Sequence, residues 1–443
     1  MVQPICDIEA LWNWEHQKVG SMAARPLNNF RDKLAEKQPE ILVCHDMKGG
    51  YLDEESETGV FLTPAAENPY VFLNWWNIDI FCYFSHNFVT IPPTGYTNVA
   101  HDHGCLVLGT FITEWKGGAK LCERFLASED SVRRTAQSLV AIARHYNFDG
   151  YLINIENEIM PEQLHNLQLF LRLLTEMMRT SATFSRVLWY DSVTATGKLS
   201  WQNKLNELNR IWYDNCDGIY LNYGWDDEML LSSADFGALN RIFVGIDVFA
   251  RGCIGGWDCY RSFAKANLMR MSIALFAPGW ISEKFPAADP IEYGLRFWKK
   301  LALYTPARPI LQLSVSTDFC AGFTRDAEGY RFRLDSISLQ PHFSQSLTQP
   351  IPLKNGGVLL QKGSCTRLFC FDVPCSGCRI TAHASRNVKL IVNDTVRDGT
   401  RNGTLFTVII HGAFHLRSLH VCIDNMSDCQ LFDITVEEIF NEQ

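Results

Sequence analysis

Eight short apolar runs fill the first 280 residues of the chain, and they are continuous rather than alternating: "ILVCHDM" (41–47), "IDIFCYFSH" (78–86), "LVLGTFI" (106–112), "GYLINIE" (150–156), "RVLWYDS" (186–192), "GIYLNYG" (218–224), "RIFVGIDVF" (241–249) and "SIALFAPGW" (272–280). A strand with one wet face alternates; a strand that is apolar throughout is covered on both faces, as in a parallel sheet. Amphipathic stretches separate the runs. The clearest, "MPEQLHNLQLFLRLLTEMMRT" (160–180), places Pro161 in a first helical turn and Leu164, Leu167, Leu171, Leu174 and Met178 on one helical face. Eight such strands with helical crossovers predict an α/β fold of the closed (β/α)8 TIM-barrel type. An open doubly wound sheet is the alternative, but no Gly-rich phosphate loop follows the first strand.

Beyond about residue 305 the pattern changes. "PILQLSVSTDFCAGF", "YRFRLDSISLQ", "RLFCFDV", "VKLIVND", "LFTVIIHG", "SLHVCIDN" and "FDITVEEIF" are short β-like runs separated by Gly, Asn, Asp and Ser. They predict a C-terminal antiparallel β-sandwich domain. The boundary falls in "LYTPARP" (303–309), giving a barrel over 1–304 and a sandwich over 305–443. An irregular connection is expected around 340–356.

Composition narrows the function. With 47% hydrophobic residues the chain has material for a large core, and a formal net charge of -9 argues against nucleic acid or an anionic membrane as partner. No run approaches the roughly 20 apolar residues of a membrane span, and "MVQPICDIEALWNWEHQKVG" lacks the basic start and apolar core of a secretory signal. The 15 cysteines are scattered, several within apolar strands, and the lone CxxC at Cys375 and Cys378 has no second pair at zinc-finger spacing. Reduced structural thiols, no metal and a cytosolic protein are the expectation.

Barrel sites lie at the C-terminal ends of the strands. Those ends carry His45 and Asp46, His86, Glu114 and Trp115, Asn154 and Glu156, Tyr190 and Asp191, Asn222 and Trp225, Asp247, and Trp280. The set is rich in aromatics, carboxyls and amides and nearly free of Lys and Arg, which suits a sugar better than a phosphate or carboxylate. Asn154 and Glu156 stand out because residues two apart share one face of a strand. Asn154 could merely satisfy buried backbone and Glu156 could be half of an ion pair. A buried amide beside a carboxyl is, however, a costly structural device, and these strand ends offer few cations. His86, Glu114, Asp247 and Trp280 are placed by strand end alone, and Asp149 is expected to fix the turn entering its strand.

The stretch "FDGYLINIEN" (148–157) fits the D-G-x-x-x-[DN]-x-E layout of substrate-assisted N-acetylhexosaminidases. With "FSHNFVTIPPTGYTN" (84–98), "HGCLVLGTFITEW" (103–115), "VLWYDSVTATGKLSWQNKLN" (187–206), "CDGIYLNYGW" (216–225) and "FVGIDVFARG" (243–252), it resembles the endo-β-N-acetylglucosaminidases of glycoside hydrolase family 85. The resemblance spans the barrel almost completely. It implies cleavage of the β-1,4 bond in the GlcNAc–GlcNAc core of N-glycans, on glycoproteins, glycopeptides or free oligosaccharides, through an oxazoline formed by the substrate's own acetamido group. It further implies that Asn154 assists that group, that Glu156 is the general acid/base, that Tyr190 bonds near the reacting acetamido, and that Trp201 and Trp225 line the glycan face. Because the nucleophile belongs to the substrate, no cofactor is expected. The competing readings are a chitinase or exo-hexosaminidase using the same chemistry, and a catalytically silent glycan-binding protein.

Overall fold

The computed structural model describes residues 2–14, 23–52, 55, 70–286, 288–326, 329–342, 350–353 and 356–439. These fall into two compact units: the described residues of Met1–Glu57 with Ile78–Lys284, and those of Thr58–Asn77 with Phe285–Gln443.

The first unit is the expected barrel. Its strands are β1 (Ile41–His45), β2 (Ile80–Tyr83), β3 (Leu106–Glu114), β4 (Gly150–Glu156), β5 (Arg186–Tyr190), β6 (Gly218–Leu221), β7 (Ile242–Asp247) and β8 (Ser272–Phe276). All pair in parallel, in the order β2-β1-β8-β7-β6-β5-β4-β3, and β2 pairs again with β3 to close the ring. A short strand, Val89–Thr90, adds antiparallel to β3. Alternate residues point inward: Leu42 and Cys44, Ile80 and Cys82, Leu106 and Leu108, Leu152, Leu188, Tyr220, Phe243 and Ala274 pack into one central cluster. The opposite rows meet the helices. Phe111 packs on Phe125 and Phe170 at 5.2 Å each, and Trp189 on Trp212 at 5.3 Å.

The crossover helix after β4, Leu164–Ser181, buries Leu167, Phe170, Leu171, Leu174 and Met178. The helix before β4, Glu129–Tyr146, starts with a capping box between Ser128 and Ser131 and stops at Asn147 in the left-handed conformation. Between β5 and β6 the helix shrinks to one turn, Arg210–Tyr213, and a long loop takes its place. At the entry to β4, Asp149 is buried and accepts from the Val107 N–H and a ring nitrogen of His101, each at 2.8 Å. Gly150 follows because a Cβ there would lie 1.8 Å from the Arg186 carbonyl oxygen.

The second unit is the antiparallel β domain. Two of its strands are longer than the sequence pattern indicates. Cys365–Ala384 runs through the expected turn after "RLFCFDV", and Leu405–Cys422 joins "LFTVIIHG" to "SLHVCIDN". Register breaks between Cys370 and Val373 and between Cys375 and Gly377 bend the first of them, so that a run with the punctuation of two strands stays one. Cys365 and Cys422, opposite each other on these strands, form a disulfide where reduced thiols were expected; the other thirteen cysteines are not disulfide-bonded. The expected connection at 340–356 lies partly outside the described residues. Residues 70–77 belong to this unit although β2 follows them directly: Arg308 donates to the Trp76 carbonyl at 2.9 Å, and Asn77 to that of Thr305 at 2.7 Å.

The N-terminal end of the barrel is closed by a buried ion cluster. Arg186 reaches Glu40 at 2.7 Å and Asp32 at 2.5 Å, and Glu40 has no exposed surface. Removing one partner of a buried pair leaves an uncompensated charge, which typically costs about 3–5 kcal/mol. Arg186→Leu should lose that much in urea unfolding followed by Trp fluorescence. The double variant Arg186→Leu/Glu40→Leu should recover part of it, because the stranded carboxylate is then gone.

Candidate active site

The inward rows continue past the core to the C-terminal end of the barrel, where polar groups replace Leu and Phe. Leu152 is followed on its face by Asn154 and Glu156, Leu188 by Tyr190, Tyr220 by Asn222, and Ile112 by Glu114. Asn154, Glu156, Tyr190, Asn222 and Glu114 line a cavity of about 440 Å3 together with Asp46, Phe84, His86, Trp201, Tyr223, Arg251 and Phe276.

β3 and β4 pair in register along seven positions, so Glu114 stands directly opposite Glu156. Glu114 is bonded to the ring of His86 at 3.0 Å, which raises the His86 pKa. Among the described residues no basic side chain is ion-paired with Glu156. Burial lifts its carboxyl above the ordinary range and the Glu114 carboxylate adds to the lift, while a bond from the Asn154 amide and the charge of His86 oppose it. Asn154 is buried, and its carbonyl oxygen meets no donor among the described residues. This amide thus acts on the neighbouring Glu156 carboxyl, and its oxygen is an acceptor without a partner among the described residues.

On the facing wall the Tyr190 hydroxyl donates to Asn222 Oδ1 at 2.8 Å, and burial pushes its phenol well above the usual range. Behind it Asp191 is buried and accepts from Asn209 Nδ2 at 3.0 Å and the Asn203 N–H at 2.6 Å; burial still pushes its carboxyl up to about 6.

Of the residues expected at the site, Asn154, Glu156, Tyr190, Asn222, Trp201, His86 and Glu114 are brought together. Four are not in the lining. Trp225 is buried, with its indole N–H donating to the Gly245 carbonyl at 2.7 Å. Trp280 is buried edge-on to Trp257, ring centres 5.7 Å apart. Trp115 is 74% exposed, stacked on His86 with its backbone at φ 53°, and its carbonyl accepts from Asn157 at 2.7 Å. Asp247 has no exposed surface and anchors its loop by accepting from the N–H groups of Phe249 and Arg251. His45 points outward to Glu55 and Tyr96, at 3.2 Å each.

The strand ends are nearly free of cations, but the loop after β7 brings one in. Arg251 enters the cavity, held by Asp247 through Nε at 2.6 Å and lying over Phe276 at 5.5 Å. Phe84 and Phe276 could have been found from sequence, since each lies two residues beyond an inward-facing position, as does Asp46, already named at its strand end. Arg251 carries no such phase; its only signal is the i,i+4 spacing from Asp247.

Fold and cavity together define a (β/α)8 barrel protein with a strand-end site of carboxyls, amides and aromatic faces. The glycosyl hydrolase family 85 model matches residues 51–327, and the chain belongs to that family. It is 41% identical over 338 residues to the cytosolic endo-beta-N-acetylglucosaminidase of Homo sapiens, covering 73% of this chain and 45% of that protein. The Mus musculus protein of the same name is 44% identical over 336 residues (75% and 45% covered), and that of Danio rerio 40% over 384 (82% and 52%). The chain therefore spans about half the length of the curated relatives it matches. The crystal structure of the glycoside hydrolase domain of Endo-D from Streptococcus pneumoniae R6 shares the fold, with a TM-score of 0.75 at 14% identity, over 99% of this chain and 84% of that one.

The electrostatics give a sign that can be measured. A protonated His86 lowers the Glu156 pKa. Removing that charge should therefore let His86→Ala raise the Glu156 midpoint in a 13C-carboxyl NMR titration. A lower midpoint would contradict this account of the site.

Proposed function

We propose that this chain hydrolyses the β-1,4 bond between the two GlcNAc residues of the N-glycan core, using the substrate's 2-acetamido group as nucleophile. The observation that carries the reading is the Asn154 amide: it helps to hold down the pKa of the neighbouring Glu156 carboxyl, and its buried oxygen has no donor among the described residues. An acetamido N–H is a donor of the right kind for that oxygen. Accepting from it would orient the group and leave the acetamido oxygen richer in electron density for attack.

In the first step the acetamido oxygen bonds to the anomeric carbon as the glycosidic C–O bond breaks. Glu156 gives its proton to the departing O4 of the second GlcNAc, and the oxazolinium N–H stays bonded to Asn154. In the second step Glu156, now a carboxylate, takes a proton from water, and the water oxygen attacks the anomeric carbon from the face the leaving group vacated. The ring of the oxazoline opens, the acetamido group is restored and configuration is retained. Burial of Glu156 serves the first step, because a raised pKa keeps the acid form populated at higher pH.

Tyr190 and Asn222 form the wall beside the acetamido, while Trp201, His86 and Glu114 contact the glycan. Trp115, stacked on His86, extends that aromatic surface outward; Trp225, Trp280 and Asp247 brace the wall from behind. The relatives' names agree with this activity and with a cytosolic setting, which we extend to this chain. N-glycans or glycopeptides are the proposed ligands.

Mass spectrometry of a defined N-glycopeptide after incubation tests the reading: the product should retain one GlcNAc. Glu156→Gln should lose about 10²–10⁴-fold in hydrolysis with little change in binding, and a phenolic leaving group should suffer less. Asn154→Ala should also lose hydrolysis by orders of magnitude, yet still join a supplied sugar oxazoline to a GlcNAc-peptide, since that donor already contains the bond Asn154 helps to form. An Asn154→Ala variant equally inactive with both donors would make the residue structural. Wild-type hydrolysis should fall as pH rises through the raised pKa of Glu156, where the proton donor is lost.

A further inference from the structure

The long loop between β5 and β6 carries Trp201 to the cavity and then Asn203, whose backbone is in the left-handed region at φ 56°. A non-glycine residue there is uncommon and is held by specific bonds. The Asn203 N–H donates to the buried Asp191 carboxylate at 2.6 Å. Its side-chain oxygen accepts twice, from the backbone N–H of Gly224 at 3.0 Å and from Asn222 Nδ2 at 2.8 Å. A Cβ at position 224 would press on that amide, 3.0 Å from Oδ1.

We propose that Asn203 is a positioning residue that fixes the donor–acceptor direction of the Tyr190–Asn222 pair on the cavity wall. The argument starts from a group with no choice. A backbone N–H can only donate, so the Asn203 atom facing Gly224 is its oxygen. That same oxygen faces Asn222, which must therefore present its NH2. The Asn222 oxygen is then turned to Tyr190, and the phenol must donate to it, at 2.8 Å. Direction is transmitted from Gly224 through Asn203 and Asn222 to Tyr190, and the phenol faces the cavity with lone pairs, its proton turned away. An O–H held in this way cannot bond to the attacking acetamido oxygen and withdraw the electron pair it needs. Asp191 takes part from behind by holding the Asn203 backbone.

This inference rests on the proposed hydrolysis, and the test separates the two. Asn203→Gly permits the same backbone and removes the side-chain acceptor; Asn203→Asp keeps an oxygen toward both Gly224 and Asn222. Each would be assayed on one defined high-mannose N-glycopeptide, alone and with Tyr190→Phe, after thermal melting establishes that it folds. Asn203→Gly should lower kcat by about 10- to 100-fold, the scale of a small misplacement at a reacting centre, with KM changed much less. Asn203→Asp should stay close to native. In the Tyr190→Phe background Asn203→Gly should cause little further loss, because the group it directs is absent.

Equal losses in both backgrounds, a loss confined to KM, a loss in Asn203→Asp matching that in Asn203→Gly, or no loss in Asn203→Gly would each overturn the inference and leave the hydrolysis standing. A native protein that leaves the glycopeptide intact would overturn both.

Discussion

The parallel ladder between β3 and β4 sets the positions on which the cavity depends. Seven residues of each strand pair without a break, from Leu108 opposite Gly150 to Glu114 opposite Glu156. Because side chains alternate with a period of two, a slip of one residue would turn Asn154 and Glu156 into the helix layer and bring Ile153 and Ile155 inside. The register is held at its entry by Asp149, which accepts the Val107 N–H, and by Gly150, which lets β5 approach within hydrogen-bonding distance. It is held along its length by the apolar rows on either face. The strand ends then carry two carboxyls into the same space without further adjustment.

The two ends of the barrel handle charge in opposite ways. At the N-terminal end Arg186, Glu40 and Asp32 are packed against one another, and each charge has a direct partner. At the C-terminal end compensation is partial. Glu114 has His86, and Asp247 has Arg251, but Glu156 is lifted by burial and by the neighbouring Glu114 anion, against the opposing Asn154 amide and the charge of His86. Burial raises Glu40 as well, but there each charge is held by a partner whose loss would cost the fold. A carboxyl left in a raised state between two compensated pairs is poised to give up or take a proton, which is the arrangement a general acid/base needs.

What could be read from the sequence follows from period. Continuous apolar runs indicate a buried parallel sheet, the i, i+2 rule puts Asn154 and Glu156 on one row, and strand ends mark Tyr190 and Asn222. The same rule, carried two residues past Cys44, Cys82 and Ala274, reaches Asp46, Phe84 and Phe276. Groups set by loop geometry were not legible. Arg251 enters from a loop, and Asn203 acts through a left-handed backbone that no periodic pattern encodes. Aromatics were misleading in a physical way: Trp225 and Trp280 sit at strand ends but are buried, because a large ring can stop behind the wall as readily as in front of it. In the β domain the turn residues around Cys375 mark bulges rather than strand ends, since Gly and Ser allow a strand to bend without ending it.

An amide at position 154, rather than a second carboxyl, follows from the crowding of acids nearby. Glu114 already raises Glu156, and an ionised Asp two residues away on the same face would raise it further or have to share its proton. Asn avoids that competition. It has a fixed donor end and a fixed acceptor end, so it can bond Glu156 with one while the other stays available, whatever the protonation state of the carboxyl. A carboxyl acid/base must pass through both charge states in each turnover. In the proposed mechanism, a neighbour that does not titrate would keep the acceptor for the substrate constant through both steps, and the burden of changing charge would fall on Glu156 alone.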